Sequence, residues 1–204
     1  MGWMRWVAGL GLVLAVLAAG PARGMQPPAP DTLDSRGHFG PGPDGRGREL
    51  VVRSQKVAWW PAELPGTSRR VLAIVSRFVP GARQATHAIR IEEHYLEAGP
   101  RDYYAVEDDA GRVVELSAHR LEVGACEGGC GLRRHTELYE VALPAAALRL
   151  ARGDEYCLRF LARRGDPMLG GELRWCVTGA QMAAHLRAFE GEARFHRVAL
   201  PALR

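Results

Sequence analysis

Four cysteines are the residues of this 204-residue chain whose type and spacing most directly indicate chemistry: Cys126, Cys130, Cys157 and Cys176. In an oxidising compartment, an even number of cysteines favours disulfide bonds. Two glycines lie between Cys126 and Cys130, and they allow the tight backbone path that such a small ring requires. The spacing therefore predicts a Cys126–Cys130 disulfide in a loop between two strands.

A second predicted disulfide, Cys157–Cys176, follows from the register of a hairpin. Segments 155–162 and 172–177 have strand character, and the turn formers Gly-Asp-Pro-Met separate them at 165–168. Symmetric pairing about that turn places Cys157 directly opposite Cys176. A non-hydrogen-bonded antiparallel pair brings its Cα atoms to about 4.5 Å, which a disulfide can span.

Two other chemistries are open to the first cysteine pair. His119 precedes Cys126 and Cys130, and His135 follows them. Two thiolates with these imidazoles would form a soft site for copper or zinc. The disulfide is favoured because the spacing is not a strong zinc signature and exported thiols oxidise. A redox role fits less well, since three residues separate the cysteines and no helix follows to lower a thiol pKa.

Catalytic motifs do not stand out in the sequence. Glu92-Glu93-His94 resembles a metalloprotease fragment only superficially, because its residues alternate between the faces of a strand. Gly40, Gly42 and Gly45 match the spacing of a dinucleotide-binding loop, but such a loop must leave a strand and open a helix, and here two prolines interrupt a polar tract. We therefore expect no cofactor and favour a noncatalytic protein. An enzyme whose site is assembled from scattered residues is the remaining alternative.

Residues 1–24 have the order of a secretory signal peptide. A basic start is followed by an apolar run at 6–19 and by small residues before cleavage after Ala22 or Gly24. The run is shorter than the ~20 residues that cross a bilayer, so we expect no membrane span after cleavage. These features predict an exported protein, periplasmic or extracellular.

The charge balance argues against a nucleic-acid partner. Removing Arg5 and Arg23 with the leader reduces 27 basic residues to 25 against 23 acidic ones, a net charge near +2. No run of basic residues exceeds a pair, so the sequence has no basic patch for nucleic acid. Residues 25–48 are rich in proline and glycine and have little to bury, which predicts a disordered leader.

From residue 49 to 204 the pattern predicts one β-rich domain. Short apolar or alternating segments are separated by turn residues, which is typical of a single antiparallel β-sandwich or partly open barrel. The predicted strands are 50–60, 71–79, 87–96, 103–107, 112–116, 119–125, 133–143, 155–162 and 172–177. Asp108-Asp109-Ala110-Gly111 supplies turn formers, so we expect a hairpin over 103–116.

One well-marked helix is expected to close the domain at about 179–190. Thr178 and Gln181 have the spacing of a capping box, and apolar residues recur on one face as far as Gly191. His185 lies on that face, where a packing role is favoured over a ligand role. A shorter helix is predicted to begin at Pro144 and to end at Leu150.

The chain resembles a group of small uncharacterised exported proteins and lipoproteins of proteobacteria over residues 70 to 190. The resemblance lies in Asp102-Tyr103-Tyr104, in 121–130, in His135-Thr136-Glu137, in 141–144 and in Leu148. No cysteine precedes Cys126, so the lipid-acceptor cysteine of the lipoprotein members is missing. The resemblance implies a single envelope β domain and carries no activity.

These observations lead us to expect a noncatalytic binding or structural module of the cell envelope. Its ligand is not indicated by the sequence, and an envelope protein is a candidate partner. The alternatives are a periplasmic protein that handles copper or zinc through Cys126, Cys130 and a histidine, and a secreted enzyme.

Overall fold

A computed structural model describes residues 34–42, 45, 47–59, 68–97, 99–101, 103–124, 133–144, 147–162 and 172–201. The strands are β1 (Ser35–Pro41), β2 (Arg48–Ser54), β3 (Val57–Trp59), β4 (Ser68–Phe78), β5 (Thr86–Glu97), β6 (Tyr103–Asp108), β7 (Leu116–Val123), β8 (Arg133–Ala142), β9 (Glu155–Ala162) and β10 (Glu172–Thr178). A 3-10 turn covers Ala147–Arg149, and helix α1 covers Gly179–Phe195.

The strands form two antiparallel sheets. The larger sheet has the order β1-β2-β4-β5-β8-β7, with β3 beside β4, and the smaller has the order β10-β9-β6. Side chains alternate between the two faces of each strand, so one face of the large sheet supplies Ile89, Ile91 and Tyr139 to the core. Phe160 and Trp175 of the small sheet pack against them. The predicted fold class is confirmed: the described chain is mainly β, with two antiparallel sheets and a C-terminal helix, as expected for a sandwich or a partly open barrel.

Helix α1 covers the part of the large sheet that the small sheet leaves uncovered. Leu50, Val52 and Phe78 of the sheet pack there against Phe189 and Ala193 of the helix. The leucine, valine and phenylalanine side chains of this group each contribute about 1.5–3 kcal/mol when they leave water. The inner face of the large sheet is therefore shared between a second sheet and a helix.

The capping box at the start of α1 is confirmed, but the helix is longer than predicted. The Gln181 N–H donates to Thr178 Oγ1 at 3.2 Å, and the Thr178 N–H donates to Gln181 Oε1 at 3.0 Å. The predicted end at about residue 190 is wrong. Burial of Ala193 continues the helix beyond Gly191, because packing outweighs the weak helix propensity of one glycine.

The predicted disulfide Cys157–Cys176 is present. β9 and β10 pair in the expected register, with the two cysteines directly opposite each other and their Cα atoms 4.0 Å apart. The turn proposed at 165–168 and the pair Cys126 and Cys130 lie outside the described residues, as do residues 1–24.

The disordered leader predicted for residues 25–48 is wrong over Ser35–Pro41. This segment pairs antiparallel with β2 along its whole length. Phe39 packs on the cluster under α1, and a Cβ at Gly37 would lie 2.4 Å from Cγ of Glu192, so the glycine lets the Glu192 side chain lie close to β1. Strand pairing is a backbone interaction, so a segment with few apolar side chains can still join a sheet edge.

The hairpin predicted over 103–116 forms only at its turn. Asp108 accepts hydrogen bonds from the backbone N–H groups of Ala110 and Arg112, and Gly111 has a positive φ of 73°. Beyond the single bridge Glu107–Val113 the two arms separate. The first arm is β6, which pairs with β9, and the chain that follows enters the other sheet as β7.

Candidate functional site: an arginine-lined basin

A broad surface basin lies on the outer face of the large sheet, opposite the core. Its volume is about 850 Å³. β1 and β2 form most of its floor, and β4 contributes Arg77 at one side. Basic side chains dominate it: Arg36, Arg53, Arg77 and His38, with Asp34 and Glu49 as the two acidic ones.

Arg36 and Arg53 are brought together by the pairing of β1 with β2. They are directly opposite each other in the antiparallel register, so their Cβ atoms are about 4.5–5.5 Å apart on the same face. Both side chains are exposed, and no ion pair or side-chain hydrogen bond joins either guanidinium to a described residue. Two like charges directly opposite are unfavourable without an anion between them.

Arg77 differs because it is held by an acid. Its guanidinium contacts both carboxylate oxygens of Glu140 on β8, with an Nη2–Oε2 distance of 2.9 Å. This hydrogen bonding raises the pKa of Arg77, and the charges of Glu140 and Glu49 act in the same direction. Arg77 is therefore held in place by Glu140, whereas the guanidiniums of Arg36 and Arg53 have no acidic partner among the described residues.

A chain of buried polar groups lies on the other side of the same strands, under α1. Ser35 Oγ is 2.9 Å from His185 Nδ1, and Ser76 Oγ is 2.9 Å from His185 Nε2. Ser76 Oγ is also 2.6 Å from Nδ1 of His87. Burial lowers the pKa of both histidines to about 4, so they are neutral at pH 7. His185 thus has a packing and hydrogen-bonding role, as the sequence favours.

A second buried group of polar side chains surrounds Glu93 at the far end of the inner face. Arg70 Nε donates to the Glu93 carboxylate at 2.9 Å, Arg101 Nη1 at 3.3 Å and the Tyr103 hydroxyl at 3.1 Å. Glu93 is fully buried. Two guanidinium groups and a hydroxyl therefore compensate for the loss of water around this carboxylate.

Glu137 lies directly across the ladder from Glu93. It accepts hydrogen bonds from the Tyr95 hydroxyl and from the Arg101 backbone N–H, at 3.2 Å for the latter. Burial is the main cause that raises the pKa of Glu137, and the negative charge of Glu93 adds to it. These carboxylates are linked to side chains of the interior and point away from the basin.

No family model, curated protein or solved structure matches this chain.

The two histidines predicted as metal ligands are separated by the structure. His119 is exposed and stacks on Tyr139, its cross-strand neighbour, with ring centroids 4.8 Å apart. His135 is buried and stacks on Tyr95 at 5.1 Å. Because Tyr139 and His135 are four residues apart on β8, the two imidazoles lie about 13 Å from each other, and one ion cannot bind both.

The copper or zinc hypothesis stays a prediction for Cys126 and Cys130 with a single histidine. Within the described part of the chain, one group of side chains has the mutual distances of a metal site, namely Glu155, Cys157 and Cys176. Its two sulfur atoms are joined in the disulfide, so they are not thiolate ligands.

The basin was missed at the sequence level. Arg36 falls in the segment interpreted as a leader, and Arg53 is one of many arginines in the chain. Their closeness depends on the pairing of β1 with β2, whose only local signal is the alternation of Ser35, Gly37 and Phe39 with larger polar residues.

Proposed function

We propose that this protein is an exported, noncatalytic binding module of the cell envelope, and that its basin takes up one oxyanion group of the ligand. Arg36 and Arg53 carry this proposal, because they are two exposed guanidiniums directly opposite each other with no acidic partner among the described residues. A guanidinium matches a phosphate or carboxylate with two parallel N–H donors.

The composition of the basin favours a ligand with a single anionic group. Asp34 and Glu49 line the same basin, so a polyanion would be repelled by part of the surface that it covers. The buried carboxylates and histidines lie on the inner face, across the sheet. That separation supports binding rather than acid–base chemistry as the task of the basin.

Export is supported by the disulfide Cys157–Cys176, since structural disulfides form and persist in oxidising compartments. The signal peptide predicted for residues 1–24 and the resemblance to exported proteobacterial proteins agree with this proposal.

Phosphate binding to matched arginine variants tests the proposed ligand class. We expect inorganic phosphate to bind the wild-type protein at low ionic strength in isothermal titration calorimetry. Arg36→Gln and Arg53→Gln should each weaken binding about 10- to 100-fold, because a hydrogen bond to a charged group contributes about 1.5–3 kcal/mol. Arg83→Gln, an exposed arginine outside the basin, is the matched control and should bind like the wild type.

The same variants also test the stability of the protein without phosphate, where the expected effect has the opposite sign. Without phosphate, Arg53→Gln should be as stable as the wild type or more stable by about 0.2–1 kcal/mol, because it removes a like-charge pair. Equal loss of binding in Arg83→Gln would mean nonspecific attraction by net charge and would contradict the proposal. Wild-type protein that does not bind phosphate would contradict it too.

A further inference from the structure

β7 is the terminal strand of the large sheet, and it exposes apolar side chains. Within the described residues it pairs with β8 alone. Leu116, Leu121 and Val123 are each between 38% and 47% exposed. Edge strands that present free backbone groups and apolar side chains are templates for pairing with another strand.

The ladder with β8 determines which backbone groups of β7 face outward. The Gly124 N–H donates to the Arg134 carbonyl at 2.8 Å, so residues of even number in 118–124 bond to β8. In an antiparallel ladder, bonded and non-bonded residues alternate. The N–H and C=O groups of His119, Leu121 and Val123 therefore point to the free edge.

The sequence of β7 is complementary to itself in one antiparallel register. If Leu121 lies opposite Leu121 of a second copy, then His119 lies opposite Val123, and all of these residues have outward-facing backbone groups. Arg120 then lies opposite Glu122 of the second copy in a non-hydrogen-bonded pair, where side chains approach most closely. In the single chain Arg120 and Glu122 form an exposed ion pair at 2.5 Å, and both can exchange partners without leaving water.

Neighbouring registers with the same hydrogen-bonding parity are disfavoured by charge. A centre at Arg120 would place Arg120 opposite Arg120, and a centre at Glu122 would place Glu122 opposite Glu122. Like charges directly opposite destabilise a strand pair. The centre at Leu121 avoids both clashes and also brings the apolar side chains of the two copies together on one face.

We propose that two copies of this protein pair edge to edge through β7, in antiparallel orientation about a two-fold axis at Leu121. The interface is isologous, so each contact occurs twice, and the large sheets of the two copies become continuous. This inference is independent of the arginine basin, which lies at the opposite edge of the large sheet.

Charge reversal at β7 tests both the dimer and its register. The protein is purified from its own cells in its naturally processed form, and its mass in solution is measured by sedimentation over a range of concentrations. The wild type should dimerise. Arg120→Glu alone and Glu122→Arg alone should each weaken dimerisation about tenfold or more, because each places like charges opposite one another. An equimolar mixture of the two variants should restore a heterodimer, since the opposing charges are again complementary.

A matched control is the exposed ion pair Arg174–Asp109 in the smaller sheet, where Arg174→Glu should leave dimerisation unchanged. All substituted side chains are exposed, and unchanged thermal unfolding would show that the variants are folded. A wild type that is monomeric throughout would overturn the inference. So would dimers that tolerate both single reversals, or single variants that fail to recover on mixing. Phosphate binding is measured separately, so failure of the dimer leaves the proposed function standing.

Discussion

At the scale of single residues, the two histidines under α1 are the groups that connect pH to stability. His185 and His87 share the hydroxyl of Ser76, and both are nearly or fully inaccessible to water. Within the described chain, Phe189 packs edge-on against His87. Burial and the charge of a protonated His87 are the causes that lower the pKa of His185. Among the described residues, no acidic side chain therefore compensates a proton on either ring.

We predict that the protein loses stability as the pH falls from about 6.5 towards 4. The folded-state pKa values are lowered to about 4, so over this range the unfolded chain binds more protons than the folded one. Each histidine accounts for up to about 3 kcal/mol of the free energy of unfolding. Urea unfolding at a series of pH values measures the slope.

Variants separate this effect from other titrations. His87→Gln should flatten the pH dependence of the free energy of unfolding between pH 4 and 6.5, because it removes one of the two buried imidazoles. Glu137 contributes the opposite sign, because its raised pKa makes its contribution fade as the pH rises through that value. A pH profile that is identical in His87→Gln and in the wild type would contradict the assignment.

At the scale of elements, β1 contributes side chains both to the arginine-lined basin and to the buried histidines under α1. Its outward residue Arg36 faces the basin, and its inward residue Ser35 bonds to His185 on α1. Neighbouring residues of a strand point to opposite faces. One short strand therefore supplies both an arginine of the binding surface and a partner of the buried histidines.

Two truncated chains test whether β1 is part of the folded domain. A chain beginning at Gly42 lacks β1, whereas a chain beginning at Asp34 keeps it. The shorter chain should be less stable by roughly 2–3 kcal/mol, because it loses the packing of Phe39 and the bond between Ser35 and His185. The midpoints of urea unfolding compare the two. Equal midpoints would mean that residues 34–41 behave as the disordered leader expected from composition.

At the scale of the whole molecule, the described residues form two sheets that do not close into a barrel, and the two faces of the large sheet have different roles. One face holds the core, and the other presents the basin. No helix in the described residues is long and apolar enough to cross a bilayer.

We predict that the protein recovered from its own cells lacks the first 22 to 24 residues and is found outside the cytoplasm. The expected N-terminus is Arg23 or Met25, because small residues precede both bonds. Intact mass spectrometry without reductant measures the N-terminus and the redox state together. A mature chain with Cys157–Cys176 and the predicted Cys126–Cys130 disulfide should lack two hydrogens for each bond. An intact Met1 on cytosolic protein would contradict export, and two free thiols with a bound metal would favour the metal hypothesis.

The features that the sequence by itself determined are those set by neighbours in the chain. The capping box of Thr178 and Gln181 acts within one helical turn, and the register of Cys157 with Cys176 follows from a single hairpin. The alternation in β5 and β8 likewise marks which residues face the core, because a strand repeats every two residues. Local rules sufficed for these features, and they led to the correct fold class.

Tertiary structure alone decided where the elements meet. The proline- and glycine-rich segment before β2 forms the strand β1 because its backbone hydrogen-bonds to β2 and Phe39 packs on the cluster under α1. The chain after Asp108 does not continue the predicted hairpin; it pairs with β8 as β7. Arg36 lies next to Arg53 only because β1 pairs with β2. Helix α1, which covers β1, lies about 150 residues further along the chain, and β7 pairs with β8 of the large sheet instead of with the neighbouring β6. No local pattern of side chains specifies these contacts.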